Sequence, residues 1–222
     1  MTNLIKRTRA VIAAPPEPFL ETARSKKRLL SLIDSIPAEA VILNVGAGYS
    51  DLGERVINTD IFDSGTTHII ASALQLPFEN ETADLLVLQG VLEHVRDAGV
   101  TLTECIRVLK KGGRFYTEMP FMQPYHESPI DLRRCTLPGL SEMCKPLREL
   151  ESGMNVGPAS TLTWITRELL AGLLSGGNPK LYPRINSLVG WMVFPFKYFD
   201  HWLERKPHLH RVGSSFYYIG EK

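Results

Sequence analysis

"VILNVGAGYSDLGERVINTD", residues 41–60, decides how this chain is read. It opens on a continuous apolar run, closes that run with Gly46 and Gly48, and ends a second one on Asp60. An apolar run stopped by glycine is the pattern of a strand buried on both faces. "HIIAS", "DLLVLQ" and "RFYTEM" repeat it, so five parallel strands are expected. Between the fourth and fifth, "AGVTLTECIRVLKKGG" places Leu102, Cys105, Ile106 and Leu109 on one helical face, with Gly112 set as the C-terminal cap. Strand, helix, strand at this spacing implies a right-handed crossover and an open α/β sheet. "FYYIGEK" at the end of the chain reads as a further strand, and "ELESGMNVG" as its neighbour.

With 222 residues, 44% of them apolar and 22% charged, the chain has material for one large domain with a well-buried core. Lys plus Arg (25) balances Asp plus Glu (24), which excludes a global basic field and gives no reason to expect nucleic acid as a partner. Three cysteines, Cys105, Cys135 and Cys144, without C-x-x-C spacing, and an N-terminus lacking a signal-like apolar core, point to the cytoplasm. The apolar run "INSLVGWMVFPF" (185–196) falls short of the roughly 20 residues that a membrane span needs. Residues 1–37 read as an N-terminal helical segment, with an amphipathic helix over 17–35. Residues 38–160 read as the sheet domain, 161–210 as a helical and aromatic insertion or lid, and 211–222 as the last strand.

In an open α/β sheet, ligands bind beyond the carboxyl ends of the strands, where glycine lets backbone approach them closely. Gly46 and Gly48 stand at that end of the first strand and Asp60 at that end of the second, placed to accept from ribose hydroxyls. A dinucleotide site wants a third glycine and a full helix to seat its pyrophosphate. Here that position is Ser50, and the link to the next strand is too short for a normal crossover helix. A nicotinamide-dependent oxidoreductase is therefore disfavoured. A cofactor with ribose and adenine but no phosphate, such as S-adenosylmethionine, fits better.

"LNVGAG", "INTDIFD", "SALQLPF", "ADLLVLQGVLEHV" and "CIRVLKKGGRFYTEMP", in that order over residues 38–120, resemble the class I S-adenosylmethionine-dependent methyltransferases, of the type 11 kind. The resemblance implies a Rossmann-like methyltransferase fold, a mostly parallel open sheet with helices on both faces. It places Gly46, Ala47 and Gly48 under the methionine portion of the cofactor and Asp60 on the ribose. Ser72, Ala73 and Leu74 would border the adenine, with Gln89 and Gly90 by the sulfonium. Asn44 stands where the family carries an acid and would bond a loop amide or the cofactor's ammonium. Ser72 stands where an Asp often meets the adenine amino group, and the first helix is nearly deleted. "MPFMQPYHESPIDLRRCT" (119–136), "GPAST" and "SSFYYIGEK" resemble a subgroup with a Pro-Tyr-His loop after the fifth strand, associated with bacterial glycan or cell-surface biosynthesis. After Pro129 this chain departs from that subgroup at Ile130, Leu132 and Arg133.

A hydroxyl acceptor benefits from a base, and a histidine can serve near neutral pH. His126, in the loop after the fifth strand, is the candidate base, against the alternative that it only bonds its own loop. Tyr125 would orient the acceptor or wall its pocket. His94 and Glu93, in "LEHV", read as supporting residues. His201, His208 and His210 lack a completing ligand set, so no metal is expected, and Cys105 reads as a small buried hydrophobe. The function expected is methyl transfer, with O-methylation of a sugar, glycan precursor or related small acceptor as the favoured chemistry. The alternative is a non-catalytic binding module that kept the fold.

Residues 181–211 crowd Trp191, Phe194, Phe196, Tyr198, Phe199 and Trp202 beside Lys197, Arg205, Lys206 and Arg211. Three readings stand. The segment roofs the acceptor site in place of the missing helix, lies on the inner face of a membrane as a peripheral contact, or forms a homo-oligomer surface.

Overall fold

The structure, a computed structural model, describes residues 14–126 and 130–222. The start of the N-terminal segment and Pro129 therefore lie outside the described residues. Seven strands form one sheet in the order β3-β2-β1-β4-β5-β7-β6. These are β1 (Ile42–Val45), β2 (Val56–Asp60), β3 (Ile69–Ile70), β4 (Ala83–Gln89), β5 (Leu109–Pro120), β6 (Arg148–Val156) and β7 (Ser215–Glu221). The first five run parallel. β7 is antiparallel to both β5 and β6. β1 and β4 are neighbours from which the chain winds outward in opposite directions, so the crevice at their carboxyl ends is the natural ligand site.

Residues 46–55, which join β1 to the parallel β2, contain no helix. The face left bare is covered by α1 (Ala23–Asp34), whose buried Leu29 and Ile33 pack with Ile36 on Ile42, Val56, Leu85, Val87, Tyr116, Tyr217 and Ile219. The Arg28 guanidinium lies 3.7 Å from the centroid of the Tyr217 ring and extends this cover to the sheet edge. The opposite face carries α2 (Ala98–Val108), through Leu102, Cys105 and Val108, and α3 (Leu137–Met143), through Leu140. Cys105 is fully buried there, and burial raises its thiol far above the ordinary value.

Two local expectations need correction. The N-terminal helix begins at Ala23, because Thr22 caps it by accepting from the Ser25 amide at 3.2 Å. Residues just before it are extended, and Glu21 bridges to Val156 at the end of β6. Gly112 is not a helix cap. α2 stops at Val108, β5 starts at Leu109, and Gly112 with φ +76° kinks the strand while its N–H donates to the Lys222 carbonyl.

Between β6 and β7 lie α4 (Pro158–Ser175), α5 (Tyr182–Val193), a 3-10 turn (Phe194–Phe199), α6 (Asp200–Leu203) and a second 3-10 turn (Pro207–Val212). The buried Asp200 carboxylate accepts from the Ala159 and Ser160 amides at 2.8 and 2.9 Å, capping α4 from outside the helix. Gly157 permits this approach, since a Cβ there would sit 2.2 Å from Asp200 Oδ1. Leu29→Ala should cost about 2–4 kcal/mol by loss of burial and a residual cavity. Urea denaturation followed by far-UV circular dichroism checks this, and an unchanged midpoint would mean that α1 is not the cover of this face.

Candidate active site

Gly46 (φ +68°), Gly48 (φ +54°) and Gly90 (φ +63°) turn the chain sharply at the ends of β1 and β4. A Cβ on Gly46 would meet Val91 Cγ2 at 2.5 Å, so this glycine lets the β1 loop close onto the β4 loop. A Cβ on Gly48 would meet nothing within 4 Å, so the backbone there faces open space. The amides of Gly46 and Ala47 donate to the Thr59 carbonyl at 2.8 and 3.0 Å. The Gly48 amide donates to Asp60 Oδ2 at 2.7 Å, while Asp60 Oδ1 accepts from the Ile61 amide at 2.7 Å. The Phe62 amide also donates to Oδ1, at 3.4 Å, so Oδ2 is the oxygen that keeps a further lone pair for a ribose hydroxyl.

Asn44 lies within β1. It is 1% exposed, and its side-chain amide donates to Asn58 Oδ1 at 3.1 Å, tying β1 to β2. Ser72, Ala73 and Leu74 form a turn beyond β3 in which Ser72 Oγ accepts from the Leu74 amide at 3.2 Å. Exposed Tyr49, Ile61 and Phe62 follow Gly48 and Asp60 in the chain, with Tyr49 and Phe62 ring centroids 5.9 Å apart. Sequence reasoning missed these three. An apolar pair directly after the acid was the available signal.

Next to Gly90 opens a cavity of about 340 Å³. Its walls join Phe19 and Glu21 from the N-terminal segment, Gln89 and Glu93 from the end of β4, Glu118 from β5, and Gln123 and His126 from the loop that follows. Asn155 from β6 and Trp164 from α4 complete it, and Phe19 and Trp164 pair at 5.9 Å between centroids. Glu118 accepts from Gln89 Nε2 at 3.0 Å and from the Tyr116 hydroxyl at 2.5 Å. Desolvation lifts the carboxyls of Glu118 and Glu93 to about 7 each and raises Glu21 as well. Glu93 Oε2 and Asn155 Oδ1 are buried without a hydrogen-bond partner. These two unpartnered acceptors suit a ligand bearing O–H or N–H groups.

His126 lies in the wall, as its place in the sequence suggested. Its Nδ1 is 3.4 Å from the Pro124 carbonyl oxygen and 3.5 Å from Asp131 Oδ2. Arg134 grips Asp131 with both Nη atoms and approaches His126 Nδ1 at 3.4 Å. Burial holds the His126 imidazole below its ordinary value of 6.5, with the Asp131 carboxylate pulling the other way. Arg133, where the chain departs from the subgroup, donates to the carbonyls of Leu92, Val95 and Arg96 and pins this loop to the turn after β4. Tyr125 stands apart. It is 63% exposed and outside the cavity wall, because neighbouring residues of an extended segment point to opposite sides. The residues of 181–211 also leave the cavity wall to Phe19 and Trp164, so they do not roof it.

His94 Nδ1 lies 2.7 Å from the Ile130 carbonyl oxygen, and its Nε2 is 3.8 Å from Glu93 Oε1. Among the described residues, Glu93, His94 and His126 bring three potential metal-ligating atoms within 4.8 Å of one another. The sequence analysis weighed histidines elsewhere and did not foresee this group, whose members come together only when the 91–96 turn and the 123–134 loop pack.

Residues 28–117 match the family described as "Methyltransferase domain". The "Probable S-adenosylmethionine-dependent methyltransferase" of Mycolicibacterium smegmatis is 28% identical over 104 residues, 39% of this chain and 40% of that protein. The "Dimethylglycine N-methyltransferase" of Parasynechococcus marenigrum is 29% identical over 146 residues, 50% of this chain and 52% of that protein. The matches thus span about half or less of these relatives' lengths. Among solved structures, phosphoethanolamine N-methyltransferase 2 of Haemonchus contortus, in complex with S-adenosyl-L-methionine, superposes with a TM-score of 0.57 at 14% identity, over 94% of this chain and 53% of that one. The seven-stranded, mostly parallel sheet with its helices is the Rossmann-like fold seen in such methyltransferase structures.

Gly46→Ala should destabilise the protein by about 2–4 kcal/mol, since a left-handed residue and an overpacked contact with Val91 add. Gly48→Ala, with the same backbone but open space, should cost only about 1–2 kcal/mol. Chemical denaturation of the pair checks the difference, and equal losses would refute the Val91 contact.

Proposed function

We propose that this chain is an S-adenosylmethionine-dependent methyltransferase that methylates a hydroxyl of a sugar, a glycan precursor or a related small acceptor. The observation that carries the reading is the acceptor-rich cavity beside Gly90, with His126 in its wall. The open backbone of Gly48, the Asp60 carboxylate and the turn at Gly90 fit the cofactor's methionine, ribose and sulfonium in that order. When bound, the cofactor supplies a methyl group on a positively charged sulfur that leaves as a neutral thioether. Gln89, held by Glu118, orients this edge of the site.

Alignment supplies much of the acceleration of such a displacement. Phe19 and Trp164 offer aromatic walls for a sugar ring, and Glu21, Glu93, Glu118 and Asn155 offer acceptors for its hydroxyls. Neutral His126 takes the proton of the reacting hydroxyl as the carbon–oxygen bond forms and the carbon–sulfur bond breaks. No Lys or Arg lines this cavity among the described residues, so the reacting end of the acceptor carries no phosphate. An amine acceptor is the second reading, favoured by the three glutamates in the wall and by the amine substrates in the names of two similar proteins.

Isothermal titration with S-adenosylmethionine, S-adenosylhomocysteine and NADH comes first, and binding of the first two alone is expected. A screen of sugar and amine acceptors follows, with methyl transfer read by mass. His126→Ala should lower kcat about 10²–10⁴-fold with cofactor affinity unchanged, and unchanged turnover would remove it as the base. Dialysis against EDTA should leave turnover intact; a loss restored by a divalent cation would instead make Glu93, His94 and His126 a metal centre.

The pH dependence has a definite sign. Glu93 and Glu118, with values of about 7, are largely protonated at pH 6 and ionised at pH 8. Affinity for the cationic S-adenosylmethionine should therefore rise across that interval, while S-adenosylhomocysteine, lacking the sulfonium, should change much less. Glu118→Gln should flatten the first curve. Parallel curves for both ligands would show that these carboxyls do not face the sulfonium.

A further inference from the structure

The helical unit between β6 and β7 exposes apolar surface that the described residues do not cover. α4 and α5 form an antiparallel hairpin: Glu168 accepts from the Tyr182 hydroxyl near the turn, and Leu162 and Phe196 line one crevice at the other end. On α4, Leu162, Leu169 and Leu173 follow at steps of seven and four, which puts them in one stripe. They are 60%, 57% and 66% exposed. Met192 on α5, then Phe199 and Trp202, are also more than half exposed. So many large side chains presented on one helical unit mark a contact surface.

The exposed charged side chains of this unit are all basic. All three carboxylates of residues 158–212 are engaged inward: Glu168 with Tyr182 and Asn186, Asp200 with the start of α4, and Glu204 with the Thr22 hydroxyl. Lys180 and Arg184 stand exposed at the turn end of the hairpin, and Arg205, Lys206 and Arg211 at the other. Lys206 Nζ lies 5.1 Å from the centroid of the Trp202 ring. The cations of the second group, with Arg24 and Arg28, line a cleft of about 710 Å³ that Glu204, bonded to Thr22, also borders, and Arg28 Nε pairs with Glu151 at 3.3 Å. Within it, Arg28 Nη1 is buried without a hydrogen-bond partner.

We infer that this face docks on an anionic lipid surface, with the leucine stripe and the aromatic side chains at headgroup depth and the basic cleft taking lipid phosphates. Apolar surface flanked by an excess of Lys and Arg, with the carboxylates of the unit held in hydrogen bonds, is complementary to such a membrane. A second copy of the chain is a poor occupant, because a two-fold contact would set these cations against one another with no exposed carboxylate of the unit to pair them. No helix among the described residues is long and apolar enough to cross a membrane, so the contact is one of lying on the surface. The inference is independent of methyl transfer.

Flotation of the full chain with vesicles tests it. Binding to phosphatidylglycerol/phosphatidylcholine vesicles at low salt is expected, with little binding to phosphatidylcholine alone. The doubly substituted Leu169→Ser/Leu173→Ser and Arg205→Ser/Lys206→Ser chains should each partition at least about tenfold more weakly. Since all four side chains are exposed, thermal midpoints should stay within a few degrees of the parent, which certifies the fold. Failure of the folded parent to float, or full binding by the leucine variant, overturns the inference. So does a dimer in light scattering that the leucine variant abolishes, because the occupant would then be a second copy.

Discussion

The ten residues between β1 and β2 constrain everything else: a parallel crossover is completed without the helix that normally fills it. One face of the sheet is left with Ile42, Val56, Leu85 and Val87 uncovered by their own connections. α1 must cover it, and because α1 precedes β1 in the chain, the segment before it is drawn across the carboxyl edge of the sheet. That is how Glu21 comes to bridge Val156, and how Phe19 and Glu21 enter the cavity wall. The site is a consequence of the replacement cover.

The same constraint organises the far side of the molecule. Once the N-terminal segment lies along β6, the helices after β6 have something to close upon. The Leu20 amide donates to Ser160 Oγ at 2.9 Å, Ser25 Oγ donates to the Asn155 carbonyl at 2.7 Å, and Lys197 Nζ donates to the Glu17 carbonyl at 2.6 Å. Lys197 is buried in doing so, which lowers its tendency to hold a proton. The first and third of these bonds hold the inner side of the helical unit to the body, the second ties α1 to β6, and the leucine stripe is left outward. Trp164 faces the cavity from the same helix that shows Leu162 and Leu169 to solvent, so the unit has one side for a ligand and another for a surface.

The sheet was legible in the sequence because its signals are local. Apolar runs closed by glycine located the parallel strands, and the positions of Gly46, Gly48 and Asp60 located the switch point. A polar residue such as Asn44 at the end of a buried run is compatible with a ligand contact and with a bond to the next strand, and the bond to Asn58 emerges only from the pairing of β1 with β2. Gly112 was misread for a related reason: a left-handed glycine ends helices and kinks strands alike, and the strand here begins before it. The cavity wall was not legible as a whole. Phe19, Glu118 and Trp164 are far apart in sequence and meet only through long-range packing, although Glu118 in the buried half of its strand was a visible anomaly.

That anomaly bears on what the cavity is for. A carboxyl on a buried strand is costly unless something offsets it. Glu118 accepts from Tyr116 and Gln89, yet these neutral donors do not prevent its carboxyl from rising to about 7. Glu93, on a separate loop, is in the same condition, and one of its oxygens has no partner. Two carboxyls desolvated on adjacent strand ends are more than packing requires, since glutamine or leucine would fill the space without the penalty. A positive centre brought between them would relieve both, because each would ionise next to it. In the proposed function, the carboxyls would favour the cationic sulfonium over its neutral thioether product, and the same difference in affinity would help to let the spent cofactor go.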